Sequence, residues 1–303
     1  MFMDSIEHIP VMLKESIEML NVKQGNIYVD GTAGAGGFSE EILKLSAPDG
    51  VLIALDSDEN AVNYVKLKLE KKFDKQRFNV FHSNFSDVDS VIRDAGFEKV
   101  DGIVLDLGIS SIQLESGRGF SFKDEGYLDM RMDMGGKTTA FDIVNYYREE
   151  EISDILWNYG DERFSRKIAK KIIEYRKKKL IETPLELSKL IKNCISYRQH
   201  QNGRNKIDPA TRSFLALRIA VNNEYEYLMQ FLNKLKSILN HGAVVCIIAF
   251  HSGEDRLIKN FFKNNKDFHI MTKKPLVPSF EEIKANPRSR SAKLRAASFI
   301  CQE

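Results

Sequence analysis

Four short runs rich in β-branched and apolar residues recur through the first hundred positions: NIYVD (26–30), VLIALD (51–56), the run at 78–82 and VDGIVLD (100–106). Between them, 39–45, 60–73 and 88–95 carry apolar residues at helical spacing. Strand, helix, strand at this interval places successive strands parallel, with each helix as the crossover. The pattern predicts βαβ units and an α/β fold built on a parallel sheet. The rhythm stops after the fourth run. Residues 117–133 are glycine-rich and charged without clear periodicity, 138–198 reads as three helices, and 198–205 (RQHQNGRN) as a polar loop. Thr183-Pro184 suits the start of the third of these helices, because proline is tolerated in a first turn. A long helix over about 210–239 then leads to another apolar strand, AVVCIIAF (243–250), where the sheet resumes. The expected organisation is one α/β domain in two parts, 1–137 and 207–303, with a helical insertion at 138–206.

The first strand runs directly into GTAGAGGFS, with glycines at 31, 34, 36 and 37. Ligands of open parallel sheets bind beyond the carboxyl ends of the strands, and glycine lets a backbone turn tightly against a ligand. A tight turn with no ligand is the plainer alternative. A dinucleotide fingerprint needs G-x-G-x-x-G; here Ser39 stands where the third glycine belongs, and no Gly-Lys-Ser/Thr phosphate loop is present. The second strand ends at Asp56, about twenty residues past the glycines, where a carboxylate can accept from both ribose hydroxyls of an adenosine cofactor. Asp58 is the better cap for the helix that follows. Phe85, just past the third strand, can stack on an adenine face or belong to the core. Asp106 ends the fourth strand, where a transferred group would lie, or serves as a cap.

Charge and cysteine usage narrow the setting. The net charge is only +2, yet nine residues between 163 and 179 are basic against the single acid Glu174, and a second basic stretch, NPRSRSAKLR, spans 286–295. A solvated helix face explains one such cluster; two in a nearly neutral chain favour a polyanion partner. No run of about 18 apolar residues exists, so no membrane span is expected. The N-terminal MFMDSIEHIPVML lacks a basic start followed by an apolar stretch, which argues against a secretory signal. Cys194, Cys246 and Cys301 are odd in number and far apart, so a reduced cytoplasm and no metal site are expected.

At this point DGTAGAGGFS, ALDSD, DGIVLDLGISSIQL, RGFSF, LDMRMD, DPATRSFLALRIAVNNE, AFHSGEDR and NPRSRSAKLR together resemble the bacterial RsmH (MraW) family from His8 to Arg295. The resemblance implies a Rossmann-like class I methyltransferase sheet with an inserted helical domain. It also implies S-adenosyl-L-methionine as cofactor and methylation of the N4 amine of a decoding-centre cytosine in the 16S rRNA of the small ribosomal subunit. Carried over by position, it implies cofactor contacts from Gly36, Gly37, Phe38, Asp56, Phe85, Asp106 and Gln113, of which Phe38 and Gln113 are its own additions. This chain has Phe38 where the family usually has histidine, Ile112 for a usual proline and Gly253 for a usual leucine.

For such a transfer, the amine lone pair has to be localised and aligned with the methyl group. Asp106 and the Ser110-Ser111 segment are the nearest candidates by chain position to accept an amine proton. No cysteine sits at a strand end, so direct transfer is expected over a covalent enzyme intermediate. Enzymes acting on a base take it out of its stack, and Phe120, Phe122 and Arg131 can line such a pocket or simply pack a long loop. His251 and Asp255 belong to the rim or cap a helix. Arg212, Arg218, Arg288 and Arg290 are candidate phosphate contacts. A small-molecule methyltransferase, a nicotinamide oxidoreductase and a non-catalytic RNA-binding factor are the rival readings, and either a monomer or a homodimer fits.

Overall fold

The computed structural model describes residues 10–109, 113–114, 117–195 and 208–301. The chain forms two compact units, one of Met1–Ser110 with Tyr225–Glu303 and the other of Ser111–Glu224.

The first unit holds α1 (Leu13–Leu20), β1 (Ile27–Asp30), α2 (Gly37–Leu45), β2 (Val51–Asp56), α3 (Glu59–Glu70), β3 (Phe78–His82), α4 (Val88–Asp94) and β4 (Val100–Asp106). All four strands fall where the apolar runs predict them, and Asp58 caps α3, its side chain accepting from Asn60 N at 3.1 Å. The sheet order is β3-β2-β1-β4-β5-β7-β6, with β5 at Leu239–Ala249, β6 at Phe268–Ile270 and β7 at Lys293–Phe299. Strands β1 to β5 pair parallel, and β7 runs antiparallel to both β5 and β6. The winding reverses between β1 and β4, and a crevice beyond the carboxyl ends of strands opens at such a switch point.

Both faces of the sheet are covered, which is why its strands read as nearly continuous apolar runs. Val29, Ile53, Leu55, Ile103 and Leu105 pack on one side with Ile92 of α4 and Phe231 and Leu235 of a later helix. Tyr28, Leu52, Ala54, Val104, Cys246 and Ile248 pack on the other with Ile42 and Leu43 of α2 and Val65 and Leu69 of α3.

The second unit carries α5 (Ala140–Tyr146), α6 (Glu149–Gly160), α7 (Ser165–Arg176), α8 (Pro184–Cys194) and α9 (Thr211–Asn222). Helix α8 starts at Pro184 as expected, with the Thr183 hydroxyl accepting from Glu186 N. The basic stretch at 163–179 lies largely on α7, whose Ile168, Ala169 and Ile172 are buried while Arg166, Lys167, Lys170 and Lys171 face solvent. The expected insertion at 138–206 lies inside this unit, which also takes in 111–137 and 207–224. Residues 117–137 fold with it because they are tied to its helices: Leu128 N donates to Glu182 O at 2.9 Å, and Met132 N to Asn222 Oδ1 at 2.7 Å.

One expectation needs correction. The single helix expected at 210–239 is two, α9 and α10 (Glu224–Ile238), because Asn223 adopts a left-handed conformation with φ 49°. Asparagine tolerates that conformation better than most residues, so an apolar period that looks continuous is broken by one backbone angle. The basic stretch NPRSRSAKLR is built partly into the sheet. Its Pro287–Ser291 forms a 3₁₀ turn, and Lys293–Arg295 open β7, where Leu294 and Arg295 are buried. Basic side chains at its start disguise a strand that lies between two others. Among the described residues no helix is long and apolar enough to cross a membrane. The first unit is completed by α11 (Ser252–Asn264) and α12 (Phe280–Ala285).

Candidate active site

Three carboxylates end the strands around the switch point. Asp30 closes β1, is 1% exposed, and accepts from the Ser39 hydroxyl at 2.6 Å and from Thr32 N at 3.3 Å. Burial pushes its carboxyl up to about 6, although both hydrogen bonds favour the charged form. Asp56 closes β2; its Oδ2 accepts from Gly34 N at 2.8 Å and its Oδ1 from Asp58 N at 2.9 Å. Burial holds this group at about 6 as well. Asp106 closes β4, and burial, joined by the fields of Asp30, Glu254 and Glu282, raises it well above the ordinary carboxylate range. Its backbone N–H donates to Thr32 Oγ1 at 2.7 Å, which ties the ends of β1 and β4 together. Its buried Oδ1 has no hydrogen-bond partner among the described residues. A buried polar atom without a partner costs free energy, about 1–3 kcal/mol, and such atoms collect where something else is meant to bind.

The glycine turn lies against these groups. Gly34 and Gly36 have φ of 51° and 74°, which side chains disfavour. Gly37 starts α2 so close to Pro10 that a Cβ there would meet its Cγ at 2.0 Å. Helix α2 has no side-chain cap, so its first N–H groups have no partner within the helix and point out of its end, where partial positive charge gathers. Phe38 turns its ring into the core beside Ile42, at 4% exposure. Only its backbone is available to a ligand, so the residue that replaces the family's usual histidine leaves no side chain in the crevice.

The remaining candidates divide. Phe85 is half-buried, with its ring edge-to-face on Phe231 at 5.9 Å. Gln113 is buried in the second unit. Ser110 and Ser111 lie outside the described residues. Arg131 is spent on loop packing: its guanidinium grips Asp129 at 2.7 and 2.8 Å and donates to the carbonyls of Met134 and Gly136. Phe120 is buried beneath Arg118, and Phe122 packs edge-to-face on Phe214. Arg218 is 8% exposed and bound through two nitrogens to Glu224 at 2.7 Å each. That pairing makes Arg218 structural, whereas Arg212, Arg288 and Arg290 are exposed. His251 caps α11, and Asp255 pairs with Arg295 at 2.6 Å and Lys293 at 3.3 Å. Burial pushes the Cys246 thiol up to about 12, which removes it as a nucleophile. The sequence reading passed over Thr32 as the link between two strand ends, and over Asp30 and Glu254 as buried charges beside Asp106. An Asp-Gly-Thr directly after a buried strand was the available signal.

Asp30 has a measurable consequence. Its pKa rises from 3.8 in the unfolded chain to about 6 in the folded one, so the folded state binds this proton more tightly. Its contribution is complete below pH 3.8 and is lost as pH climbs through about 6. At 1.36 kcal/mol per unit the loss is at most about 3 kcal/mol. Without ligand, the melting temperature is expected to fall between pH 5 and pH 7.5, and less steeply in Asp30→Asn. Parallel curves for the two proteins would sink this account.

The winding, the glycine turn at its switch point and the antiparallel β7 between β5 and β6 define a Rossmann-like class I methyltransferase fold. Within that class the chain belongs to the MraW methylase family, which it matches over residues 5–300. It is similar to a protein of Caldicellulosiruptor bescii named ribosomal RNA small subunit methyltransferase H, at 44% identity over 97% of this chain and 99% of that one. It is equally similar to a protein of that name from Sulfurihydrogenibium sp., at 46% identity over 97% of this chain and all (100%) of that one. Among solved structures, an rRNA methylase from Streptococcus thermophilus aligns over 95% of this chain and 94% of its own, at 11% identity and a TM-score of 0.45.

Proposed function

We propose that this protein uses S-adenosyl-L-methionine to methylate the N4 amine of a decoding-centre cytosine in 16S rRNA of the small ribosomal subunit, in the cytoplasm. The observation that carries the reading is the set of three carboxylates at the strand ends, the buried Asp30 and the half-buried Asp56 and Asp106, beside the glycine turn. The names of the similar proteins support the RNA substrate, and the resemblance of the motifs supports the cytosine.

The crevice fits the cofactor on three counts. Gly37 and the backbone of Phe38 offer N–H donors at an uncapped helix start, beside Gly36, whose own N–H donates to Ala33 O at 2.6 Å. Asp56 keeps lone pairs free for ribose hydroxyls beyond the two N–H groups it already holds. Phe85 offers a partly exposed ring near the end of β3 for the adenine. The resemblance alone adds Gln113 to the proposed cofactor contacts, and chain position alone adds Ser110 and Ser111 to the proposed catalytic set. When bound, the cofactor supplies an electrophilic methyl group on a cationic sulfur.

The protein's own task is to present the amine. The lone pair of an exocyclic amine is delocalised into the ring, and an acceptor for one amine proton localises it. The buried Oδ1 of Asp106, which has no partner among the described residues, supports its reading as the acceptor of that hydrogen bond. Its chain neighbours Leu105 and Leu107 and its register partner Ile248 are buried.

The test is transfer of label from radioactive S-adenosyl-L-methionine to small ribosomal subunits lacking the modification. Label is expected on one cytosine of 16S rRNA. Label on free cytidine or on protein, with none on ribosomal RNA, would overturn the proposal.

A further inference from the structure

A second concave site lies on the first unit, away from the switch point. It is a cavity of about 490 Å³ between α11 and the edge strand β6. That volume falls within the range of small-ligand pockets, about 300–1,000 Å³. Three strand spacings separate β6 from β4, roughly 14 Å at 4.8 Å each, so the cavity is not part of the carboxylate crevice.

Its chemistry is opposite to that of the crevice. The floor is apolar, made of Phe262, Phe268, Ile270 and Ile300. Lys259 and Lys263, one helical turn apart on α11, stand on one side, and Lys273 stands beyond the end of β6. All three are exposed, and none has an ion-pair partner among the described residues. Three lysines on neighbouring elements are paired instead: Lys236 with Asp267, Lys234 with Asp89 and Lys293 with Asp255. Arg295, which also lines the cavity, has its guanidinium held by Asp255 and offers only its stem. Three lysines without an ion-pair partner among the described residues thus line one apolar hollow. His269, exposed on β6, adds a further donor at the rim.

A ligand that matches this arrangement carries several negative charges outside and a flat apolar face inside. We infer that the cavity between α11 and β6 binds a nucleotide segment of the substrate RNA, with a base on the Phe262–Ile270 floor and flanking phosphates on Lys259, Lys263 and Lys273. Base stacking on an apolar platform with lysines tracking the backbone is the usual solution for single-stranded nucleic acid. The inference rests on the RNA-substrate reading and adds to it a second docking point, a few nucleotides from the base that is modified.

The experiment compares wild type with the full-length triple variant Lys259→Ala/Lys263→Ala/Lys273→Ala. These side chains bury nothing, so the melting temperature and the affinity for S-adenosyl-L-methionine are expected to stay unchanged. Binding of a fluorescein-labelled single-stranded RNA oligonucleotide is measured across a salt series. Each lost phosphate contact lowers the slope of log K against log[salt] by about 0.7, so the variant's slope is expected to be shallower by about 2. With small ribosomal subunits as substrate, KM is expected to rise about tenfold at unchanged kcat. An unchanged slope and KM would overturn the inference while leaving the methylation reading intact. If wild type labelled no ribosomal RNA, the methylation reading would fail, and the slope difference alone would decide the pocket. Competition by polyglutamate as strong as by RNA of equal charge would overturn the assignment to RNA.

Discussion

Asp106→Asn is expected to lower kcat by a factor of about 10² or more at saturating cofactor, and to melt no lower than wild type at pH 8. A positioned proton acceptor is worth about 10²–10⁴ in rate. In the proposed reaction the carboxylate accepts the amine proton through Oδ1, which has no partner among the described residues. An amide oxygen accepts more weakly, and its NH₂ group introduces two donors where the substrate amine brings its own. Stability moves the other way. Burial raises the Asp106 carboxyl well above its ordinary range, so at pH 8 the folded protein bears a cost, of a buried charge or of taking up a proton, that the unfolded chain does not. The amide carries no such cost. A merely structural aspartate would lose activity and stability together, so a variant that is slower and equally or more stable identifies the functional one. Full turnover by Asp106→Asn would remove the amine-acceptor role.

The parts of this molecule that follow from local pattern were legible in the sequence. Strands β1 to β4 and the glycine turn are each written in about ten consecutive residues, and Asp58 and Thr183 cap helices where short-range chemistry puts them. What escaped notice depends on contacts distant in sequence. β7 is hidden because its first residues are basic and its burial comes from neighbours β5 and β6, and β6 is too short, at three residues, to show a period. The break at Asn223 is one backbone angle inside an uninterrupted apolar pattern. At the candidate site, the strand ends pointed to Asp56 and Asp106, because the end of a parallel strand is a fixed place in such a fold. That Arg131 and Arg218 are consumed by Asp129 and Glu224 could not be read, since an arginine's partner is a matter of tertiary packing. The unpartnered lysines around the α11–β6 cavity were invisible for the same reason, being drawn from two elements with the apolar floor between them.

Asp56→Ala is expected to weaken S-adenosyl-L-methionine about 100-fold. Hydrogen bonds to a charged acceptor contribute about 1.5–3 kcal/mol each, so losing two from the ribose amounts to about 3 kcal/mol or more, two powers of ten in Kd. The same carboxylate also anchors Gly34 N–H and Asp58 N–H, so its removal loosens both the glycine turn and the start of α3. Asp56→Asn is expected to lose nearly as much, because its NH₂ group must face one of those N–H donors. Titrating the cofactor by calorimetry at pH 8 separates the two ways Asp56 can act. A ribose acceptor predicts equal losses for S-adenosyl-L-methionine and S-adenosylhomocysteine, which share the ribose and differ by the sulfonium charge. A role as counter-charge predicts a loss for the sulfonium compound alone. The pH dependence has a fixed sign: with the group raised to about 6, affinity is full above that pH and falls below it as the carboxyl takes up its proton. A loss under threefold, or one confined to the charged ligand, would show that Asp56 holds the loop and the charge balance but not the ribose.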